Sequence, residues 1–163
     1  MVEQQRMDIT KLAPEAYRHL LQLEQTIAGK LDPKLFHLLK LRASQINGCA
    51  FCIGMHSDEA LRDGDTPERL LLLDAWHESS AFSEKERAAL EWIEELTLIA
   101  ESHASKEAFD GLKRFFSEEE IAYLTLTGAV INTWNRIAIA SRGQYDPAMF
   151  HKVADPAKVA EPA

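Results

Sequence analysis

Only two cysteines occur in the 163 residues, so a disulfide framework is excluded and no second Cys pair is available to complete a four-cysteine zinc site. Basic residues are outnumbered as well, 18 Lys and Arg against 26 Asp and Glu for a formal net charge of −8. They are scattered along the chain rather than clustered, which argues against a nucleic-acid or anionic-membrane surface. No apolar run approaches the roughly 18–20 residues of a membrane span. The opening "MVEQQRMDIT" lacks the apolar core of a signal peptide. There is no internal repeat, and strand signals are scarce. The expectation is a cytoplasmic protein, in a compartment where thiols stay reduced.

What is present describes an ordinary globular chain, 46% apolar and 27% charged. Its length suits one domain with a core that needs no covalent staple. Helix punctuation recurs throughout. Pro14 opens a stretch whose Leu20, Leu21, Leu23 and Ile27 form an apolar stripe, and Gly29 closes it. Asp32-Pro33 reads as cap and first helical residue of a segment that stops at Asn47-Gly48. A helix carrying the cysteines follows as far as Gly64, and Thr66-Pro67 starts the next. "SEKE" from Ser83 has capping-box spacing and predicts a long helix to about Ser102. Ser105 can cap a shorter helix through Phe116. "SEEE" from Ser117 repeats the box before a last helix that Gly143 ends. About seven helices joined by short loops predict an all-α, single-domain helical bundle over residues 1–143. Residues 144–163 read as a tail, frayed or serving as a docking arm.

Both cysteines lie in "SQINGCAFCIGMHSDEALRDG", residues 44–64. A disulfide between Cys49 and Cys52 closes too short a loop to act as a staple, about 2 kcal/mol in the loop-entropy account. Two buried thiols acting as small hydrophobes are the plainest alternative. The spacing resists it, because Cys49, Cys52 and His56 fall at i, i+3 and i+7 and share one helix face. Asn47-Gly48 breaks the preceding helix, which leaves the thiols at a new N-terminus where unpaired N–H groups favour a thiolate. An ordinary thiol is only about 3% ionised at neutral pH, and a shift of roughly two units, on the order of 2.7 kcal/mol, reverses that. With a second thiol one turn away, an oxidised sulfur can be captured as a disulfide. Zinc is the rival, with His37 as a fourth ligand beside Cys49, Cys52 and His56, although three neighbouring residues on one helix fit poorly around a tetrahedral ion.

The segment "LFHLLKLRASQINGCAFCIGMH" followed by "EALRDG", together with the later "NTWNR", resembles the alkylhydroperoxidase D-like, or carboxymuconolactone decarboxylase, superfamily. The likeness runs from about residue 8 to 142. It implies an all-helical fold assembled as trimers or hexamers, and for the Cys-x-x-Cys branch a thiol-dependent peroxidase reduced by a dithiol donor such as a lipoylated protein. It also implies that Cys52 attacks the peroxide, Cys49 resolves the sulfenic acid and His56 relays the proton. N-terminal placement alone favours Cys49 as the thiolate. No cofactor and no metal are assigned.

The sequence departs from the family pattern twice. His37 stands twelve residues before Cys49, where the family has its catalytic carboxylate, and Phe51 stands where the characterised hydroperoxidase has a histidine. His37 is therefore expected as a substitute base, or as a helix histidine bonded to a neighbour. Decarboxylase members lack the cysteine pair, so muconolactone decarboxylation is not the expected activity. A redox-sensing or partner-binding oligomer without turnover and a zinc-stabilised Cys/His binding protein remain the other readings. Trp134 is expected in the core, Ser44 in helix packing and Asn135-Arg136 tying helices together, while Glu94-Glu95 reads as a solvated face. His77, His103 and His151 belong to no constellation.

Overall fold

The computed structural model describes residues 4–146, and the fold class is all-α: among the described residues there are nine α-helices and no strand. They are α1 (Ile9–Leu12), α2 (Pro14–Ala28), α3 (Pro33–Asn47), α4 (Ala50–Arg62), α5 (Pro67–Leu72), α6 (Glu84–Thr97), α7 (Ile99–Ser102), α8 (Lys106–Leu112) and α9 (Glu118–Ser141). A 3-10 turn, Leu73–Ala75, continues α5. Among the described residues no helix is long and apolar enough to cross a membrane.

Side-chain caps fix the helix starts. Asp32 accepts from the Leu35 N–H at 3.1 Å, with Pro33 in the first turn, where a missing N–H costs nothing. Ser83 with Glu86, and Ser117 with Glu120, form complete capping boxes. α3 stops at Gly48, whose φ of 67° is left-handed backbone that glycine adopts without the penalty of a Cβ. The Cys49 N–H then returns to the Ser44 carbonyl at 3.0 Å, and the chain re-enters a helix with Cys49 as its cap.

α3 is the central element. It packs against α4, α6 and α9, and α6 in turn holds α8 and α9. Leu38, Leu39, Leu41 and Ala43 of α3 meet Leu90 and Ile93 of α6, Leu112 of α8 and Ile131 of α9 in one buried cluster. Each such aliphatic side chain contributes about 1.5–3 kcal/mol by leaving water. The crossing of α3, α4 and α9 matters most for function, because it surrounds the start of α4.

Three expectations are corrected. The helix expected to reach Ser102 ends at Thr97. Leu98 leaves helical geometry (φ −97°, ψ 31°), the Ser102 hydroxyl caps the Glu95 carbonyl at 2.6 Å, and α7 forms separately. The helix expected through Phe116 ends at Leu112 and turns tightly through Phe116. Glu94-Glu95 is structural rather than solvated: Glu94 accepts from Arg42 at 2.6 Å and from the Trp76 indole at 2.7 Å, and Glu95 caps α8 through Ser105. α1, capped by Asp8, was not anticipated. Past α9, Tyr145 lies against Gly54 and donates to Asp58 at 2.6 Å, which docks the chain back on α4. The rest of the tail, with His151, lies outside the described residues.

Candidate active site

Cys49 caps α4 and Cys52 sits in its first turn, with both side chains buried and both thiols free. The Cys49 sulfur accepts from the Cys52 backbone N–H at 3.4 Å, as an N-cap oxygen would. The two sulfurs lie 2.7 Å apart. Such proximity lets the pair share a single proton. Cys49 is brought down to about 7, chiefly by hydrogen bonding from Cys52, against the opposing effect of burial. Cys52 is pushed strongly up by the same bond to Cys49 and by burial, with Lys40 offsetting part of this.

Asn135 of α9, fully buried, faces both thiols and favours their ionised forms. Its own amide is held on both sides: Asn47 donates to its oxygen at 2.8 Å, and it donates to Ser44 at 3.0 Å. The Ser44 hydroxyl passes the chain on to the Lys40 carbonyl at 2.7 Å. Ser44 and Asn135 thus tie α3 to α9 as expected, and they support the dithiol in doing so. Arg136, expected to tie helices as well, instead bonds within α9 to Asn132, which accepts from Asn47 at 2.9 Å. Trp134 is half-buried and packs edge-on against Tyr17 with centroids 5.2 Å apart.

His56, one turn beyond Cys52, is fully buried. Its Nδ1 meets the Glu59 carboxylate at 2.6 Å. Desolvation pushes His56 down to about 4, so the ring is neutral at pH 7. Burial opposes ionisation of Glu59, yet hydrogen bonds from His37 and His56 outweigh it and hold the carboxyl well below the usual carboxylate range. An ionised carboxylate only accepts, so Nδ1 of His56 carries the proton and Nε2 keeps a lone pair. That Nε2 is buried without a hydrogen-bond partner. The arrangement is a neutral base oriented by a carboxylate.

With a histidine at position 37, the carboxylate beside His56 comes from α4 itself, as Glu59. Glu59 lies three residues after His56, a spacing that already put it on the same face in sequence. His37 reaches the same group from α3, its Nδ1 3.1 Å from Glu59 Oε2 and its Nε2 3.0 Å from Asp63. Also unanticipated is Lys40, 3% exposed and ion-paired with Glu24 of α2. Its ammonium favours a thiolate at Cys52 and disfavours an imidazolium at His56. His77, stacked on Trp76, and His103, a left-handed helix cap, stand apart from this site.

A cavity of about 350 Å³ opens onto these groups. Cys52 and Glu59 line it, and Cys49 does not. Its walls are mostly apolar, from Tyr17 and Leu21 of α2, Phe51 and Met55 of α4, and Trp134 and Ile137 of α9. Residues 5 and 7–10 close it from the N-terminal side.

Comparison with known proteins agrees with this geometry at the level of the fold. A 42% identical protein of unknown function from Agrobacterium tumefaciens, a candidate antioxidant defence protein of the AhpD type, superposes with a TM-score of 0.85 over 88% of this chain and 99% of that one. The debrominase Bmp8, 24% identical, shares the fold with a TM-score of 0.74 over 85% of this chain and 75% of its own. An uncharacterised Bacillus subtilis protein, YdfG, is 38% identical across 83% of this chain and 93% of its own length. Residues 14–95 match the carboxymuconolactone decarboxylase family, and with its all-helical, alkylhydroperoxidase D-like fold the chain belongs to that family.

Proposed function

We propose that the chain is a thiol-dependent peroxidase that reduces an organic hydroperoxide with its own dithiol. The observation that carries this reading is a pair of free sulfurs 2.7 Å apart, one of which lines an apolar cavity beside an oriented neutral histidine. Cys52 is the attacking residue in this reading, because it alone of the two reaches the cavity. The thiolate that Cys49 stabilises becomes available at Cys52 by proton exchange between the sulfurs. The Cys52 sulfur attacks the distal peroxide oxygen, the O–O bond breaks and an alkoxide leaves. His56, holding a thiol proton at Nε2 while Glu59 stabilises the imidazolium, returns it to the alkoxide. Cys49 then attacks the Cys52 sulfenic acid, hydroxide departs with the second thiol proton as water, and a disulfide remains. The sum is dithiol plus ROOH to disulfide plus ROH and water. His37 acts here by positioning Glu59 rather than as the base.

A dithiol donor, such as a lipoylated protein, would restore the pair by exchange. The family resemblance supports a homo-oligomer, a trimer or hexamer, and the solution mass should be a multiple of 18.4 kDa. The decisive experiment mixes reduced protein with a slight excess of cumene hydroperoxide and follows intact mass and thiol content. An intramolecular disulfide within seconds, absent in Cys52→Ser, is expected. Persistent thiols would remove the peroxidase reading, and a disulfide that dithiols reverse but that gives no sustained peroxide turnover would favour the redox-sensing one. Because Bmp8 is a debrominase on the same fold, a brominated pyrrole belongs in the assay as a competitor. Bromide release faster than peroxide loss would transfer the reading to reductive dehalogenation.

A further inference from the structure

We propose that His37, His56 and Glu59 form a binding site for a zinc-class divalent cation, in which Glu59 replaces the two cysteines of the Cys/His set that the sequence alone offers. One ligand atom from each of the three residues lies within 4.8 Å of the other two. Nδ1 of His56 and Nδ1 of His37 both converge on Oε2 of Glu59, at 2.6 and 3.1 Å, and the two rings stand 6.4 Å apart between centroids. Tetrahedral zinc with bonds of about 2.0–2.2 Å separates its ligand atoms by about 3.3 Å, so small side-chain adjustments accommodate it.

A second, independent feature points to a cation. His37 Nδ1 is buried 3.1 Å from the Glu59 oxygen, a weakly aligned contact. The other nitrogen, Nε2, is engaged with Asp63 at 3.0 Å. Both nitrogens of His37 therefore face carboxylates, and Glu59 Oε2 is shared by two imidazoles, a concentration of donor atoms that suits a cation. A metal ion bound by Nδ1 of His37, Nδ1 of His56 and Glu59 takes the place of the protons that those contacts otherwise hold. The Asp63–His37 contact is then the carboxylate–histidine support found behind metal-bound imidazoles, which fixes the tautomer and raises ligand basicity. Two imidazoles and one carboxylate suit zinc, cobalt or nickel far better than magnesium or calcium, and they leave a fourth position open. The cavity along Glu59 supplies a path of entry. Occupancy also takes His56 and Glu59 out of proton transfer. That consequence rests on the peroxidase reading, whereas the site itself does not.

The test uses the full chain with both thiols removed, Cys49→Ser/Cys52→Ser, stripped with chelator and titrated with ZnCl2 by calorimetry. Retained metal is counted by mass spectrometry after gel filtration, without peroxide. One zinc per chain is expected, and Co2+ in its place should give visible bands without thiolate charge transfer. His37→Ala or Glu59→Gln, each added to that background, should abolish retention, and Asp63→Asn should weaken binding by about 10- to 100-fold. Glu59→Gln is nearly isosteric and keeps the test valid should His37→Ala perturb folding, which circular dichroism reports. Zinc held only when the cysteines are present would overturn the site. So would retention in the thiol-free chain that neither His37→Ala nor Glu59→Gln reduces.

Discussion

At the scale of single residues, the chemistry turns on how two sulfurs divide one proton. Cys49 has the cap position and accepts the Cys52 N–H, while Cys52 has the cavity, so ionisation and access belong to different residues. The folded chain should therefore ionise one thiol with a midpoint near 7 and keep the other protonated far above that. For a thiol the lowered value means that the charged form accumulates as pH rises through 7, and that acid below this point removes it. Ultraviolet thiolate absorbance against pH should show one step of one-thiol amplitude near 7; two overlapping steps near the ordinary thiol value would contradict it. Cys49, Cys52 and His56 were legible as one helix face because their spacing lies within one element. Glu59 is equally legible by spacing, three residues beyond His56, although the family pattern has its carboxylate at position 37. Asp63 against His37, Asn135 facing the sulfurs and Lys40 beside Glu24 depend on how α2, α3, α4 and α9 meet, which no local period encodes.

Among the elements, starts were easier to read than stops. Asp32, Thr66, Ser83, Ser105 and Ser117 each cap through their own side chain, so the signal and its cause are the same atoms. The ends of α6 and α8 have Leu98 and Lys113 at the cap rather than glycine, and α6 closes through the Ser102 hydroxyl on the Glu95 carbonyl. α9 was read as helix despite its β-branched residues, and the structure gives a reason for its tolerance. Thr125, Thr127 and Thr133 each return a hydroxyl to the carbonyl four residues earlier, at 2.8, 2.8 and 2.9 Å, which spares the buried Thr127 an unpaired hydroxyl. Within α9, Gly128 permits close approach to α6: a Cβ there would stand 2.6 Å from Leu96 Cδ1 and 3.2 Å from Ile93 Cδ1. Ala is the better helix former, so a gain would be expected from propensity alone. Overpacking should win instead, and Gly128→Ala should destabilise the fold by about 1–3 kcal/mol in chemical denaturation. A variant as stable as the parent would show that Leu96 can rotate away freely.

For the molecule as a whole, the site is a buried dithiol beneath a cavity whose N-terminal wall lies outside the rigid bundle. Residues 5 and 7–10 line the cavity, and α1 buries no residue of its own. This wall is held by its packing on α2 and by the Arg6 N–H to the Ser141 carbonyl at 2.8 Å. Few buried contacts mean a low free energy of local opening, well below that of global unfolding. Cys52 is only 1% exposed, so a bulky reagent reaches it by way of such openings. Removing residues 1–10 should thus leave the core of α3, α6 and α9 intact, with helical content and melting temperature little changed. The rate at which a bulky aromatic disulfide reagent labels the reduced thiols should rise severalfold, while a small alkylating reagent should gain less. Equal gains for both reagents, or none, would mean that access is governed by opening of α4 itself, where Tyr145 docks on Gly54 and Asp58. The two routes separate further with Gly54→Ala. Its Cβ would come within 2.6 Å of the Tyr145 ring and loosen that contact while leaving the N-terminal wall in place.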